Sequence, residues 1–166
     1  MDFDRVLQLA PEKRYRLLPK LVQNELAAEP DLLANLANIA AILYYGLPDV
    51  SWVGFYLYNG EELVLGPFQG RPACTRIRTD RGICGRAFTQ NVTVTIEDVH
   101  SDPAHIACDA RTNAEIVQPV RLKDGTMGVL DIDSTTRGRF GAADEKLVQA
   151  VADCLQNPNR TEGNVL

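Results

Sequence analysis

The sequence predicts an α+β domain in which helices come first, a run of hairpin-connected strands follows, and a last helix closes the chain. Three observations carry this expectation. Apolar residues recur at helical spacing up to Gly46, the period changes to two from Val50, and a helical stripe returns around Leu147. Regular alternation of strand and crossover helix is missing, which argues against a parallel doubly wound sheet.

Taken in order, Leu17, Leu18, Leu21, Val22 and Leu26 predict a helix with Pro19 at its start. Leu32, Leu36, Ile39 and Leu43 predict a second, with Pro30 in its first turn and Gly46 just past its end. From Val50, Val53, Phe55 and Leu57 point to one side of a strand. Trp52, Gly54, Tyr56 and Tyr58 point to the other. Asn59-Gly60 reads as a tight hairpin turn into Leu63-Val64-Leu65. Further strands are expected at Thr75–Arg78, Val92–Ile96, Ile116–Leu122 and Thr126–Asp133, and a short helix after Arg81-Gly82. The last helix is expected over Ala143–Leu155, with Leu147, Val148, Val151, Cys154 and Leu155 on one stripe. The organisation expected is one domain over residues 1–166: helices over about 5–46, sheet and loops over about 50–134, a helix over about 143–155 and a tail over 156–166.

A chain of 166 residues, 45% hydrophobic and 23% charged, has the composition of an ordinary globular protein. Its net charge of -5, without a basic cluster, argues against nucleic acid and anionic membrane as partners. The acidic start Met1-Asp2-Phe3-Asp4 does not resemble a secretory signal, and no apolar run approaches the roughly 20 residues that span a bilayer. The default expectation is a cytoplasmic protein.

Four cysteines are present: Cys74, Cys84, Cys108 and Cys154. No C-x-x-C pair occurs, so no metal site is expected. Cys154 falls on the apolar stripe of the last helix and reads as packing. Cys108 lies in an aperiodic stretch after Pro103, where loops commonly carry reactive groups. His105 nearby would favour its thiolate and Asp109 would oppose it, so local sequence leaves a catalytic and a passive thiol both open. Cys84 sits at a glycine-flanked helix start, where thiolate stabilisation and close packing compete, with packing the preferred reading. Cys74 alone says little. Together these thiols permit a chemistry in which a sulfenic acid condenses with a second thiol.

The strand Thr126–Asp133 puts Asp131 and Asp133 on one face at its end, while Leu130 and Ile132 show that its other face is buried too. Acids in such a place are costly unless paired or protonated, and crowding raises the pKa of at least one. The competing reading is a strand end running into solvent, with Asp133 capping a turn. Glu115 opens the strand expected to pair with this one. Three carboxylates beside Trp52 and Tyr56 suit a small zwitterion, whose ammonium the acids would hold while the rings pack on its apolar tail.

Eight segments in order now carry a resemblance: Ser51-Trp52-Val53-Gly54-Phe55-Tyr56, Leu65-Gly66-Pro67-Phe68-Gln69-Gly70, Ala73-Cys74, Gly82-Ile83-Cys84-Gly85, Ile96-Glu97-Asp98-Val99-His100, His105-Ile106-Ala107-Cys108-Asp109, Asn113-Ala114-Glu115-Ile116-Val117-Gln118-Pro119 and Gly128-Val129-Leu130-Asp131-Ile132-Asp133-Ser134. They resemble the free methionine-(R)-sulfoxide reductases. The resemblance implies a GAF domain with a central antiparallel sheet between N-terminal and C-terminal helices, assembled as a homodimer. It implies free L-methionine (R)-sulfoxide as substrate, thioredoxin as reductant and no cofactor. It implies Cys108 as nucleophile, Cys74 as main resolving thiol and Cys84 as a third thiol able to join disulfide exchange. Glu115, Asp131 and Asp133 match the substrate-holding acids, and Trp52 and Tyr56 the aromatic wall. Ala114 replaces a common Ser and Ala104 a common Gly, which affects loop geometry rather than a reacting group.

Two other readings compete. One is a ligand-sensing GAF module without catalysis, against which stand the three site thiols and the expectation of a stand-alone domain. The other is a zinc site built from Cys108 with His100 or His105, whose spacing fits no usual pattern.

Overall fold

The computed structural model describes residues 3–102 and 109–158. Short α1 (Phe3–Leu7) leads into α2 (Pro11–Ala28) and α3 (Leu32–Gly46). Then come β1 (Trp52–Tyr58), β2 (Glu62–Gln69), β3 (Arg76–Arg78), α4 (Gly82–Gln90) and β4 (Val94–Ile96). A single 3-10 turn at Val99–Ser101 precedes β5 (Ala114–Arg121), β6 (Met127–Ser134) and α5 (Ala142–Gln156). The expected α+β class holds, and each expected strand is present within a few residues of its predicted ends.

The strands form one sheet in the order β3-β2-β1-β6-β5-β4, and every neighbouring pair is antiparallel. Period-two alternation divides the interior. Val53, Phe55, Ile116, Leu130 and Ile132 face α2, α3 and α5 in the larger core. Trp52, Tyr56, Val117 and Val129 face the other way, where α4 contributes Ile83, Cys84 and Ala87 to a smaller core. Strand β6 is therefore buried on both faces, as Val129, Leu130 and Ile132 predicted. Among the described residues, no helix is long and apolar enough to cross a membrane.

Three local expectations change. Pro19 lies inside α2 instead of at its start, which Pro11 occupies. Residue 19 donates no bond to the Tyr15 carbonyl, a cost of about 3 kcal/mol in an isolated helix. Burial of Leu18, Leu21, Val22 and Leu26 offsets that cost, so tertiary packing overrides the local signal. Pro30 precedes the α3 cap, which is Asp31 accepting a hydrogen bond from the Ala34 amide at 2.9 Å. Gly46 is the last residue of that helix, and its role is close approach: a Cβ there would lie 2.4 Å from Leu18 Cδ2. Finally, Asn59-Gly60 does not form a two-residue hairpin. Asn59 Oδ1 accepts from the amides of Glu61 and Glu62, at 3.0 and 2.9 Å, and Gly60 takes φ +102° in the longer loop between Tyr58 and Leu63.

Candidate functional site

The register of three central strands builds the site. Trp52 on β1 lies opposite Asp133 on β6, and Asp133 lies opposite Glu115 on β5. One step along, Gly54, Asp131 and Val117 form the next row. Side chains two apart share a face, so Asp131 and Asp133 join Glu115 on the side covered by α4. Trp52, Tyr56, Cys84, Glu115, Asp131 and Asp133 all line one pocket of about 450 Å³, counting its open mouth.

The aromatic wall is held on several sides. The Trp52 indole N–H donates to the Arg71 carbonyl at 3.0 Å, and its ring stacks on Phe68 and Tyr56 with centroids 5.4 and 5.9 Å apart. Only glycine fits at position 54, since a Cβ would lie 2.4 Å from the Trp52 ring and 2.5 Å from Phe68 Cβ. The Tyr56 hydroxyl donates to the Cys74 carbonyl at 3.0 Å, tying the wall to the segment that carries that cysteine. Burial, and then the negative charge of Asp131, push the Tyr56 pKa upward, so it remains a neutral phenol.

The acids occupy a dry place. Glu115 is 6% exposed and Asp131 7%. Burial, reinforced by Asp131 and Asp133, raises the Glu115 pKa well above the ordinary carboxylate range. Burial lifts Asp131 to about 7, opposed by hydrogen bonds from Cys84 and the Ile132 amide. Asp133 rises as well, through burial and the Asp131 charge, although a hydrogen bond with Thr112 favours its ionised form. Protons are therefore retained in the cluster near neutrality. Asp131 Oδ1 is buried and has no hydrogen-bond partner among the described residues.

The thiols separate by environment. Cys84, in the first turn of α4, is 4% exposed, and its Sγ lies 4.0 Å from Glu115 Oε1. Desolvation and then the charges of Asp131 and Glu115 drive its pKa well above the usual thiol value. Those effects exceed any helix-terminus stabilisation of the thiolate, in keeping with the packed reading. Cys74 is engaged in a disulfide, whereas Cys84 and Cys154 are thiols. Cys154 packs against the helical core with Sγ 3.8 Å from the Pro19 carbonyl. Cys108, His105 and Ala104 lie outside the described residues. His100 is not a pocket residue; its Nε2 lies 3.0 Å from Asn113 Oδ1.

Sequence reasoning did not assign two polar residues, Asp109 and Thr112, to the pocket. Asp109 reaches the pocket, but its carboxylate is committed to Arg111 at 2.8 Å, and that hydrogen bonding holds its pKa down to about 2. Thr112, buried at the rim, bonds Asp133. Both lie just before β5 in a segment without periodicity; Asp109 stood out in the sequence only as the neighbour of Cys108, and Thr112 not at all.

Comparison with known proteins agrees with this geometry. The GAF domain family model matches residues 31–155. Protein YtsP of Bacillus subtilis (strain 168) is 48% identical over 147 residues, covering 87% of this chain and 90% of that protein. The free methionine-R-sulfoxide reductase of Escherichia coli (strain K12) is 54% identical over 128 residues, covering 76% of this chain and 78% of the relative. The X-ray structure of free methionine-R-sulfoxide reductase from Neisseria meningitidis in complex with its substrate matches with a TM-score of 0.81 and 41% identity, covering 87% of each chain. A sequence match over most of the chain and a shared sheet thus lead to one statement: the chain belongs to the GAF-domain family and, within it, to the free methionine-R-sulfoxide reductases.

Proposed function

We propose that this enzyme reduces free L-methionine (R)-sulfoxide to methionine at the pocket between β1, β5, β6 and α4. One observation carries the reading: buried Glu115 and Asp131 converge with half-buried Asp133 beside the Trp52–Tyr56 wall. A free amino acid brings an ammonium that a residue within a protein chain lacks, and a group of partly protonated acids suits that charge. The stacked rings provide an apolar surface for the thioether tail.

In this mechanism the Cys108 thiolate attacks the sulfoxide sulfur, and one of the crowded carboxyls supplies the proton taken up by the oxygen. The sulfoxide oxygen passes to the enzyme, methionine leaves, and Cys108 becomes a sulfenic acid. The Cys74 thiol then attacks the Cys108 sulfur and water departs, which leaves a disulfide. Support for Cys74 as the partner is its engagement in a disulfide while Cys84 and Cys154 are thiols. Cys84 serves as a reserve thiol for exchange. Two electrons and two protons from thioredoxin return the pair to dithiol. A cytoplasmic location and assembly as a homodimer belong to the same proposal.

The test is stereospecific. With thioredoxin, thioredoxin reductase and NADPH, the enzyme is expected to consume NADPH with the free (R)-sulfoxide and not with the (S) form. Equal rates on both, or on neither, would overturn the reading. Cys74→Ser is expected to accumulate a sulfenic acid on Cys108, trapped by a dimedone-type reagent and read by mass spectrometry. A normal Cys108–Cys84 disulfide in that variant would move the resolving role to Cys84.

A further inference from the structure

Cys84, Glu115 and Asp131 form a group whose donor atoms, one from each residue, all lie within 4.8 Å of one another. All three residues are more than nine-tenths buried. They come from three separate elements, α4, β5 and β6, so no spacing in the sequence reveals them together. Asp131 Oδ1 is itself buried and has no hydrogen-bond partner among the described residues. An ammonium group would satisfy the two carboxylates but makes no use of a sulfur beside them. Two carboxylates with a thiolate are a mixed oxygen and sulfur donor set carrying three negative charges, which a borderline-soft divalent cation matches better than a hard one.

We propose that Cys84, Glu115 and Asp131 bind a thiophilic divalent metal ion, Zn²⁺ or its analogue Co²⁺, in the floor of the substrate pocket. Zinc bonds of about 2.0–2.3 Å bring tetrahedral donors to about 3.3–3.8 Å from one another. The Cys84–Glu115 separation of 4.0 Å needs only a small contraction to reach that range. Three protein ligands leave a fourth position for water on the pocket side. The Cys84 proton leaves to solvent as the metal–sulfur bond forms, together with any proton retained on the two carboxyls, so affinity falls as pH is lowered. The metal would stand where the proposed function puts the substrate ammonium, and inhibition by zinc rests on that reading. Binding itself does not.

The experiment titrates Co²⁺ into the oxidised protein, in which the proposed disulfide removes Cys74 and Cys108 as ligands. One metal per chain is expected, with a thiolate-to-cobalt charge-transfer band that Zn²⁺ displaces. Cys84→Ser is expected to abolish the band, Asp131→Asn to weaken it, and Cys154→Ser to leave it unchanged, each variant being checked for a native circular dichroism spectrum. Absence of the band in the wild type, or its loss in Cys154→Ser with retention in Cys84→Ser, would overturn the site. Free methionine is then added to the cobalt form. Loss of the band supports a shared position. A band that persists under saturating methionine leaves the metal site standing and counts against the acids as the ammonium cradle.

Discussion

Cys108→Ser is expected to reduce turnover of free methionine (R)-sulfoxide by roughly a thousandfold or more, because a hydroxyl at neutral pH is a far weaker nucleophile than a thiolate. Substrate affinity should change little, since the acids and rings proposed to hold the amino acid lie on β1, β5 and β6. Equilibrium binding of methionine separates the two effects. The variant should bind as the wild type does and fail in the coupled NADPH assay. Full residual activity would remove Cys108 from the nucleophile position, and lost binding would give it a structural role instead.

The second large effect is a gain in stability accompanied by a loss of function. Burial lifts the folded-state pKa of Asp131 from its ordinary 3.8 to about 7. The folded state therefore binds more protons than the unfolded state between those values, and stability falls as pH rises through that window. The penalty is absent below about pH 4 and complete above about pH 7. Asp131→Asn removes it and should stabilise the protein at pH 8 by about 4 kcal/mol, with little change at pH 4. The same variant loses an anion from the proposed ammonium cradle, so KM should rise ~30-fold or more. Urea unfolding at the two pH values, paired with KM, checks both parts. A variant less stable than the wild type at pH 8 would show that the carboxylate contributes more through its contacts than its burial costs.

Much of the site was legible because period two is rigid. Once Trp52 and Tyr56 share a face, and Asp131 and Asp133 share another, pairing of β1 with β6 brings both pairs to one side of the sheet. Glu115 was identifiable from its place at the start of β5. What the chain did not reveal depends on packing across elements. Cys84 looks like a helix-start thiol in one dimension, and only the docking of α4 over β5 and β6 sets it against Glu115 and Asp131. Pro19 misleads for a similar reason, because a local breaker is outweighed by the buried face of α2. The place of Asp109 and Thr112 in the pocket was not foreseen because aperiodic segments have no pattern from which to read direction.

The central pairing of β1 with β6 also bears on how the chain folds. Gly54 meets Asp131, and Trp52 meets Asp133, only after nearly the whole intervening sequence has been synthesised. Contacts so distant in the chain carry a large loop-closure entropy and slow the approach to the native state. On the ribosome, β1 and β2 can pair early as a local hairpin, exposing the edge that β6 will later cover. The candidate pocket is assembled in two stages along that route. Its aromatic wall, Trp52, Tyr56 and Phe68, belongs to the β1–β2 hairpin, whereas the burial that perturbs the acids begins only when β6 arrives.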